Sequence, residues 1–209
     1  MTETKSHDYL PAMGKSWLLF LYEPLTRLWG VPKVRAELLD RANIEPGHRV
    51  LEIGCGPGDL LLAQAARASG VHLMGIDPDP AALRRAKRKA RRARAEIKFE
   101  RAYARSLPVP DRSVDRVLSS LMIHHLDPAE TASAVAEIRR VLRPGGEVHI
   151  LDIAGLPEGH RAGRKHPYLV GDLPGRVLAA LRDGGLTDVA ENGRGHARFG
   201  DYVLYRARA

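Results

Sequence analysis

A single cysteine, Cys55, stands in the 209-residue chain, so no internal disulfide can form and no metal site can be built from thiolates. No apolar stretch approaches the roughly 18 residues that a bilayer-crossing helix requires. The longest near the N-terminus runs only from Trp17 to Tyr22, without the basic start or small-residue cleavage site of a secretory leader. These absences predict a reduced, cytoplasmic protein with no transmembrane segment. Acids are missing from one stretch: Arg84, Arg85, Lys87, Arg88, Lys89, Arg91, Arg92 and Arg94 follow one another with none between them. Aromatic residues are missing there too, and with them the stacking platforms of single-stranded nucleic acid binders. The cations cover nearly the whole circumference of the helix expected there. The formal charge of +8 therefore reads as a solvated face or a seat for an anionic partner, with nucleic acid disfavoured.

What is present is enough apolar sequence, 44%, for one buried core. Between Ser16 and Trp29, residues Leu18, Leu21, Tyr22, Leu25 and Leu28 recur at helical spacing around Pro24, and a second helix fits Lys33 to Ala42. From residue 46 onward, strands at 49–53, 71–76, 97–100, 114–119 and 148–152 alternate with helices at 59–68, 80–94 and 128–142, with Pro144-Gly145-Gly146 as a turn. Such alternation implies right-handed βαβ units and a mainly parallel sheet. The tail offers a helix at 176–183 and two strands, 186–191 and 197–206, joined through Gly193 and Gly195 as an antiparallel edge pair. The expectation is an α/β, Rossmann-like doubly wound fold. Its seven-stranded sheet is mainly parallel with an antiparallel C-terminal edge. Residues 1–45 form an N-terminal helical extension acting as a lid, and residues 46–209 the ligand-binding domain.

The strongest local signal is Val50-Leu51-Glu52-Ile53-Gly54-Cys55-Gly56-Pro57-Gly58. An apolar strand runs into alternate glycines and then a helix, whose free N–H groups attract anionic or strongly polar ligands. No Gly-Lys-Ser or Gly-Lys-Thr follows, so the loop is not a P-loop. It is one residue shorter than the dinucleotide G-x-G-x-x-G, and so suits S-adenosylmethionine (SAM), which carries a carboxylate in place of a pyrophosphate. Asp77 ends the next strand about 20 residues on, where such folds place a carboxylate for ribose hydroxyls; the other reading of Asp77 is a helix N-cap before Pro80.

At these residues the chain resembles the class I SAM-dependent methyltransferases, in the small-molecule branch similar to the ubiquinone and menaquinone methyltransferases. The likeness runs from about Pro46 to Asp152. Beyond the glycine loop and Gly75-Ile76-Asp77 it takes in Leu107-Pro108-Val109-Pro110-Asp111, Ser113-Val114-Asp115, Met122-Ile123-His124-His125-Leu126 and Arg140-Val141-Leu142-Arg143-Pro144-Gly145-Gly146.

The resemblance implies SAM as cofactor, S-adenosylhomocysteine as product and no metal. It assigns Glu52, Gly54, Gly56 and Gly58 to the amino acid moiety, with Cys55 a small space-filling side chain in the same loop. Asp77 takes the ribose hydroxyls and Pro78 lies near the adenine. Where the family offers an Asp to the adenine amino group, this chain has Tyr103 followed by Ala104, a departure that leaves the Ala104 N–H as the ring contact. Backbone carbonyls of Ser119 and Ser120 fall where the methionine ammonium would lie. His124 or His125 is placed to take a proton from a phenol or enol. Tyr9 and Tyr22 in the extension, and His160, His166 and Tyr168 after the strand ending at Asp152, are candidates for acceptor contacts. The reading is C- or O-methylation of an aromatic, quinone-like or lipid-like small molecule by a monomer or homodimer. Two alternatives stay open: a nucleic-acid (RNA) methyltransferase, which lacks support from any Asn-Pro-Pro-Tyr type motif after the fourth strand, and a non-catalytic protein using the SAM fold for binding.

Overall fold

Val50 to Ile53 is apolar on both sides of the strand except at Glu52, which is what a strand covered on both faces requires. The computed structural model, which describes residues 28–155 and 170–209, places this strand near the centre of the sheet. The elements are α1 (Val31–Ala42), β1 (Arg49–Ile53), α2 (Asp59–Arg67), β2 (His72–Asp77), α3 (Pro80–Ala93), β3 (Ile97–Arg101), β4 (Val114–Ser120), a 3-10 turn (Ile123–His125), α4 (Pro128–Val141), β5 (Leu142–Ile153), α5 (Leu173–Asp183), β6 (Thr187–Ala197) and β7 (Gly200–Arg208). The sheet order is β3-β2-β1-β4-β5-β7-β6. The first five strands are mutually parallel, while β7 runs antiparallel to both β5 and β6. No helix among the described residues is long and apolar enough to cross a membrane.

Two cores lie on the two faces of the sheet. Leu38, Leu60, Leu61, Leu83 and Phe99 gather on the side of α1–α3, and Ile138, Val141, Val177 and Leu181 on the side of α4 and α5. Helix α1 buries Val31, Val34, Leu38, Leu39 and Ala42, so the described part of residues 1–45 is built into the core. Helix ends follow local chemistry: Asp127 and Glu130 form a reciprocal capping box on α4, and Asp172 caps α5 through the Gly175 N–H.

Three expectations change. Gly193 and Gly195 do not join the last two strands; both lie within β6, and the turn falls between Ala197 and Gly200. Gly195 is needed there because a Cβ would enter the Tyr202 ring of the neighbouring strand. Pro144-Gly145-Gly146 lies inside β5 as an excursion: pairing with β4 jumps from Val114↔Leu142 to Arg116↔Glu147, and Gly145 has φ +77°. The basic helix α3 is not cationic all round. Ala82, Leu83, Ala86 and Ala90 form a buried stripe whose small side chains give no strong sequence signal.

Tyr205 tests the economy of this core. It is 1% exposed and its hydroxyl has no hydrogen-bond partner among the described residues. Burial pushes the phenol well above its ordinary range. Removing an unsatisfied buried polar atom gains about 1 kcal/mol. Tyr205→Phe is therefore expected to match or exceed the parent in thermal unfolding, and a clear loss of stability would show that the hydroxyl is bonded.

Candidate functional site

The strand order reverses direction between β1 and β4, and the chain leaves the carboxyl ends of both strands there, opening a crevice. The glycine loop leaves β1 at this point. Gly54, Gly56 and Gly58 have φ of +69°, +51° and +78°, a region that side chains resist. The loop is closed by Cys55 N–H donating to the Ile76 carbonyl and Gly58 N–H to the Cys55 carbonyl, both at 2.9 Å. Cys55 points into the core: a Cβ at Gly75 would come within 2.9 Å of its Sγ and of Leu61 Cδ1. Burial pushes its thiol well up, so it fills space and does not react.

Asp77 ties the loop to β2. Its Oδ2 accepts from Gly56 N–H and its Oδ1 from Asp79 N–H, each at 2.8 Å. One lone pair on each oxygen is left over. The helix cap before Pro80 is made by Asp79, through the Ala81 N–H at 2.7 Å. Burial raises the Asp77 carboxyl, against the two N–H groups that lower it.

Glu52 lies beneath the loop, 1% exposed, with Oε2 unpartnered among the described residues. Burial pushes its carboxyl up to about 8, with Arg35 opposing and Asp59 and Asp77 adding to the rise; the Leu61 backbone also bonds to it. Ser119 Oγ is buried and likewise without a partner among the described residues. Ser120 Oγ accepts from Arg35 Nε at 3.1 Å, and the same guanidinium lies 3.7 Å from Asp59. Arg35, with an 11% exposed side chain, reaches the site from α1. It was not among the residues expected from sequence, although it shares the apolar stripe of Val31, Leu38 and Leu39, where a cation is out of place.

After Ser120, Leu121 adopts φ +57°, a strained angle for a leucine. The turn carries Met122 onto Gly54, where a Cβ would meet its side chain. It also brings His124 to Asp152 at the end of β5: Nδ1 lies 2.5 Å from Oδ1, and His124 N–H donates to Oδ2 at 3.0 Å. Burial works to lower the His124 pKa, but the Asp152 carboxylate outweighs it and the net direction is up. The His125 ring lies 4.0 Å from that of His124. Asp152, 0% exposed, is a second residue not anticipated; its place at the carboxyl end of a central strand was the available signal.

The adenine-side candidates are placed without a carboxylate between them. The Pro78 carbonyl accepts from Arg101 Nε at 3.2 Å. Tyr103 bridges to Ser106 and lies under the Arg105 guanidinium, 4.6 Å from the ring centre, and Ala104 is half-buried beside it. Tyr9, Tyr22, His160, His166 and Tyr168 lie outside the described residues.

The donor set fits SAM. An unpartnered carboxylate oxygen near a guanidinium matches a zwitterionic amino acid, and the free lone pairs of Asp77 match a vicinal diol. Two buried acids at the loop do not suit a pyrophosphate.

Comparison with known proteins shows the family. The methyltransferase-domain family matches residues 50–146. The O-methyltransferase rstn1 of Aspergillus nomiae is 31% identical over 156 residues, covering 71% of this chain and 68% of that protein. A demethylmenaquinone methyltransferase of Thermus thermophilus is 34% identical over 125 residues, covering 60% and 56%. Among solved structures, phosphoethanolamine N-methyltransferase 2 of Haemonchus contortus in complex with SAM superposes with a TM-score of 0.78 at 19% identity, covering 94% of this chain and 58% of that one. The chain belongs to the class I SAM-dependent methyltransferase family. It spans about half the length of several curated relatives that it matches.

Proposed function

We propose that the chain transfers a methyl group from SAM to a small-molecule acceptor, by C- or O-methylation of an aromatic, quinone-like or lipid-like compound. The observation that carries the reading is the His124–Asp152 pair at the same end of the sheet as the Glu52–Arg35–Asp77 cradle. SAM supplies the methyl on a sulfonium that is already activated, so alignment does much of the work. Glu52 and the backbone carbonyls of Ser119 and Ser120 take the ammonium, Arg35 the carboxylate and Asp77 the ribose diol. Asp152 holds the Nδ1 proton of His124, leaving Nε2 free to accept a proton from a phenolic or enolic acceptor. The part of the N-terminal extension before α1, with Tyr9 and Tyr22, and His160, His166 and Tyr168 are assigned to a lid over the acceptor.

Calorimetry with SAM, S-adenosylhomocysteine and NADH tests the cofactor. Micromolar binding of the first two and none of NADH is expected; no binding of either at millimolar concentration would leave the non-catalytic reading standing.

Glu52 adds a pH dependence. A carboxyl raised to about 8 is mostly protonated at neutral pH, whereas the ammonium of the ligand favours its ionised form. Stability contributed by the buried neutral acid is present below its unfolded pKa and is lost as pH rises through about 8. Ligand affinity runs the other way. S-Adenosylhomocysteine is expected to bind more tightly by up to about tenfold between pH 6 and pH 7, with release of a proton visible as a buffer-dependent binding enthalpy. Glu52→Gln should abolish both effects; proton release unchanged in that variant would assign it elsewhere.

A further inference from the structure

The positive charge of the chain is concentrated where the fold does not neutralise it. Several arginines elsewhere are ion-paired: Arg67 with Asp40, Arg140 with Glu137 and Asp111, Arg143 with Asp115, Arg194 with Glu191, and Arg206 and Arg208 with Glu147. On α3, Lys89 reaches Asp59. Arg84, Lys87, Arg88 and Arg91 have no ion-pair or hydrogen-bond partner for their side chains among the described residues. Their spacing puts them on one side of the helix, three and four residues apart, where like charges repel.

These four side chains line one groove. It has a volume of about 620 Å³ and runs between α3 and the edge strand β3, with Ala90, Ala95, Ile97 and Phe99 as its apolar part. Phe99 also separates it from the glycine loop, since a Cβ at Gly58 would come within 2.9 Å of its ring. The volume is that of a small-molecule site, and it lies outside the crevice described above. A bilayer surface would need exposed apolar residues beside the cations. The large hydrophobics exposed among the described residues are Leu28 and Trp29, at the start of α1, a helix whose sheet contacts are with β5 at a distance of several strands from β3.

We propose that the groove between α3 and β3 binds a small organic polyphosphate, its phosphates on Arg84, Lys87, Arg88 and Arg91 and its organic part on Ile97 and Phe99. Four unpaired cations balance a triphosphate, and arginine binds phosphate through paired N–H donors. The apolar floor gives an organic part a place that inorganic phosphate would leave empty. The sequence leaves a solvated face and a seat for an anionic partner both open, because the floor that favours the second comes from β3, not from the helix.

The test uses the full chain saturated with S-adenosylhomocysteine, so that an adenine ring cannot report on the cofactor site, and is repeated without it. Inorganic tripolyphosphate and ATP, both free of magnesium, are titrated by calorimetry at low salt. Binding of one equivalent of each is expected, ATP the tighter, both weakening as salt rises. The variant Arg84→Gln/Arg88→Gln/Arg91→Gln should lose affinity on the order of thirtyfold. A charge-matched control, Arg85→Gln/Arg92→Gln/Arg94→Gln, should keep it, because none of its positions lines the groove. Glutamine keeps the helix, and circular dichroism with S-adenosylhomocysteine binding confirms that both variants fold. Equal losses in the two variants would reduce the effect to net charge and overturn the proposal. So would absence of binding at millimolar concentration, or binding of a labelled oligouridylate or of phosphatidylglycerol vesicles through the same residues when ATP does not bind. Loss of S-adenosylhomocysteine binding in the parent would count against the cofactor assignment and leave the groove result readable.

Discussion

His124→Asn is expected to lower kcat by about 10² to 10⁴-fold while leaving the affinity for S-adenosylhomocysteine at that of the parent, measured with a phenolic or quinol acceptor that supports turnover. The expectation follows from the division of the site. His124 touches no residue of the loop–Asp77 cradle; its partners are Asp152 through Nδ1 and the His125 ring. Because the Asp152 carboxylate, against burial, holds the His124 pKa above that of a free imidazole, the ring is neutral, and able to act as a base, only once pH exceeds the raised value. The rate should therefore rise with pH along a limb centred above 6.5. Asp152→Asn removes the charge and keeps one carbonyl oxygen, which can accept from the His124 N–H now on Oδ2 or from the Ile153 N–H now on Oδ1, but not from both. The limb should then move to lower pH, with kcat reduced and KM nearly unchanged. Asp152→Glu, which restores the charge, should move it back. A histidine that only packs would give variants with altered stability and no displaced limb. Full activity in His124→Asn would remove the general base from the mechanism and leave alignment alone.

The sheet was legible because each central strand is short, apolar and bounded by turn residues, and because the glycine loop and Asp77 are local patterns. Arg49–Ile53 came out at its observed limits. Less legible were features made by residues from different elements. Asp152 acts on a histidine 28 positions earlier, and Arg35 contacts Ser120 across 85 positions; no spacing rule links such pairs. Gly193 and Gly195 were read as a connection because glycine weakens a strand, whereas here a neighbouring Tyr202 ring covers the vacant side-chain position. Helix α3 misled in the opposite sense. Its buried face is made of three alanines and Leu83, which count little beside seven cations, and the groove that it walls is visible only once β3 is placed against it.

Arg35→Met is expected to erase the ability to tell a ligand with a carboxylate from one without. In the parent, S-adenosylhomocysteine should bind more tightly than 5′-methylthioadenosine, which has the same nucleoside and thioether but no amino acid. Decarboxylated SAM, which keeps the ammonium and lacks only the carboxylate, isolates the contribution of Arg35 by comparison with SAM. Truncating one partner of a desolvated, hydrogen-bonded charge pair costs about 2–5 kcal/mol, or roughly 30- to several thousand-fold in affinity. SAM should lose that much in Arg35→Met, whereas decarboxylated SAM should lose little. The comparison matters because Arg35 has a second role available. It lies 3.7 Å from Asp59 and pulls the Glu52 carboxyl down against burial, so a merely structural arginine would also weaken binding when removed. That role predicts equal losses for both ligands, since each carries the ammonium that Glu52 meets. Unequal losses place the guanidinium on the carboxylate; equal losses place it on the protein's own acids. Ser120→Ala sharpens the distinction. It removes the hydroxyl that holds Arg35 Nε at 3.1 Å without touching either charge. It should reduce the preference for SAM in part, because the guanidinium is no longer oriented, while leaving decarboxylated SAM unaffected.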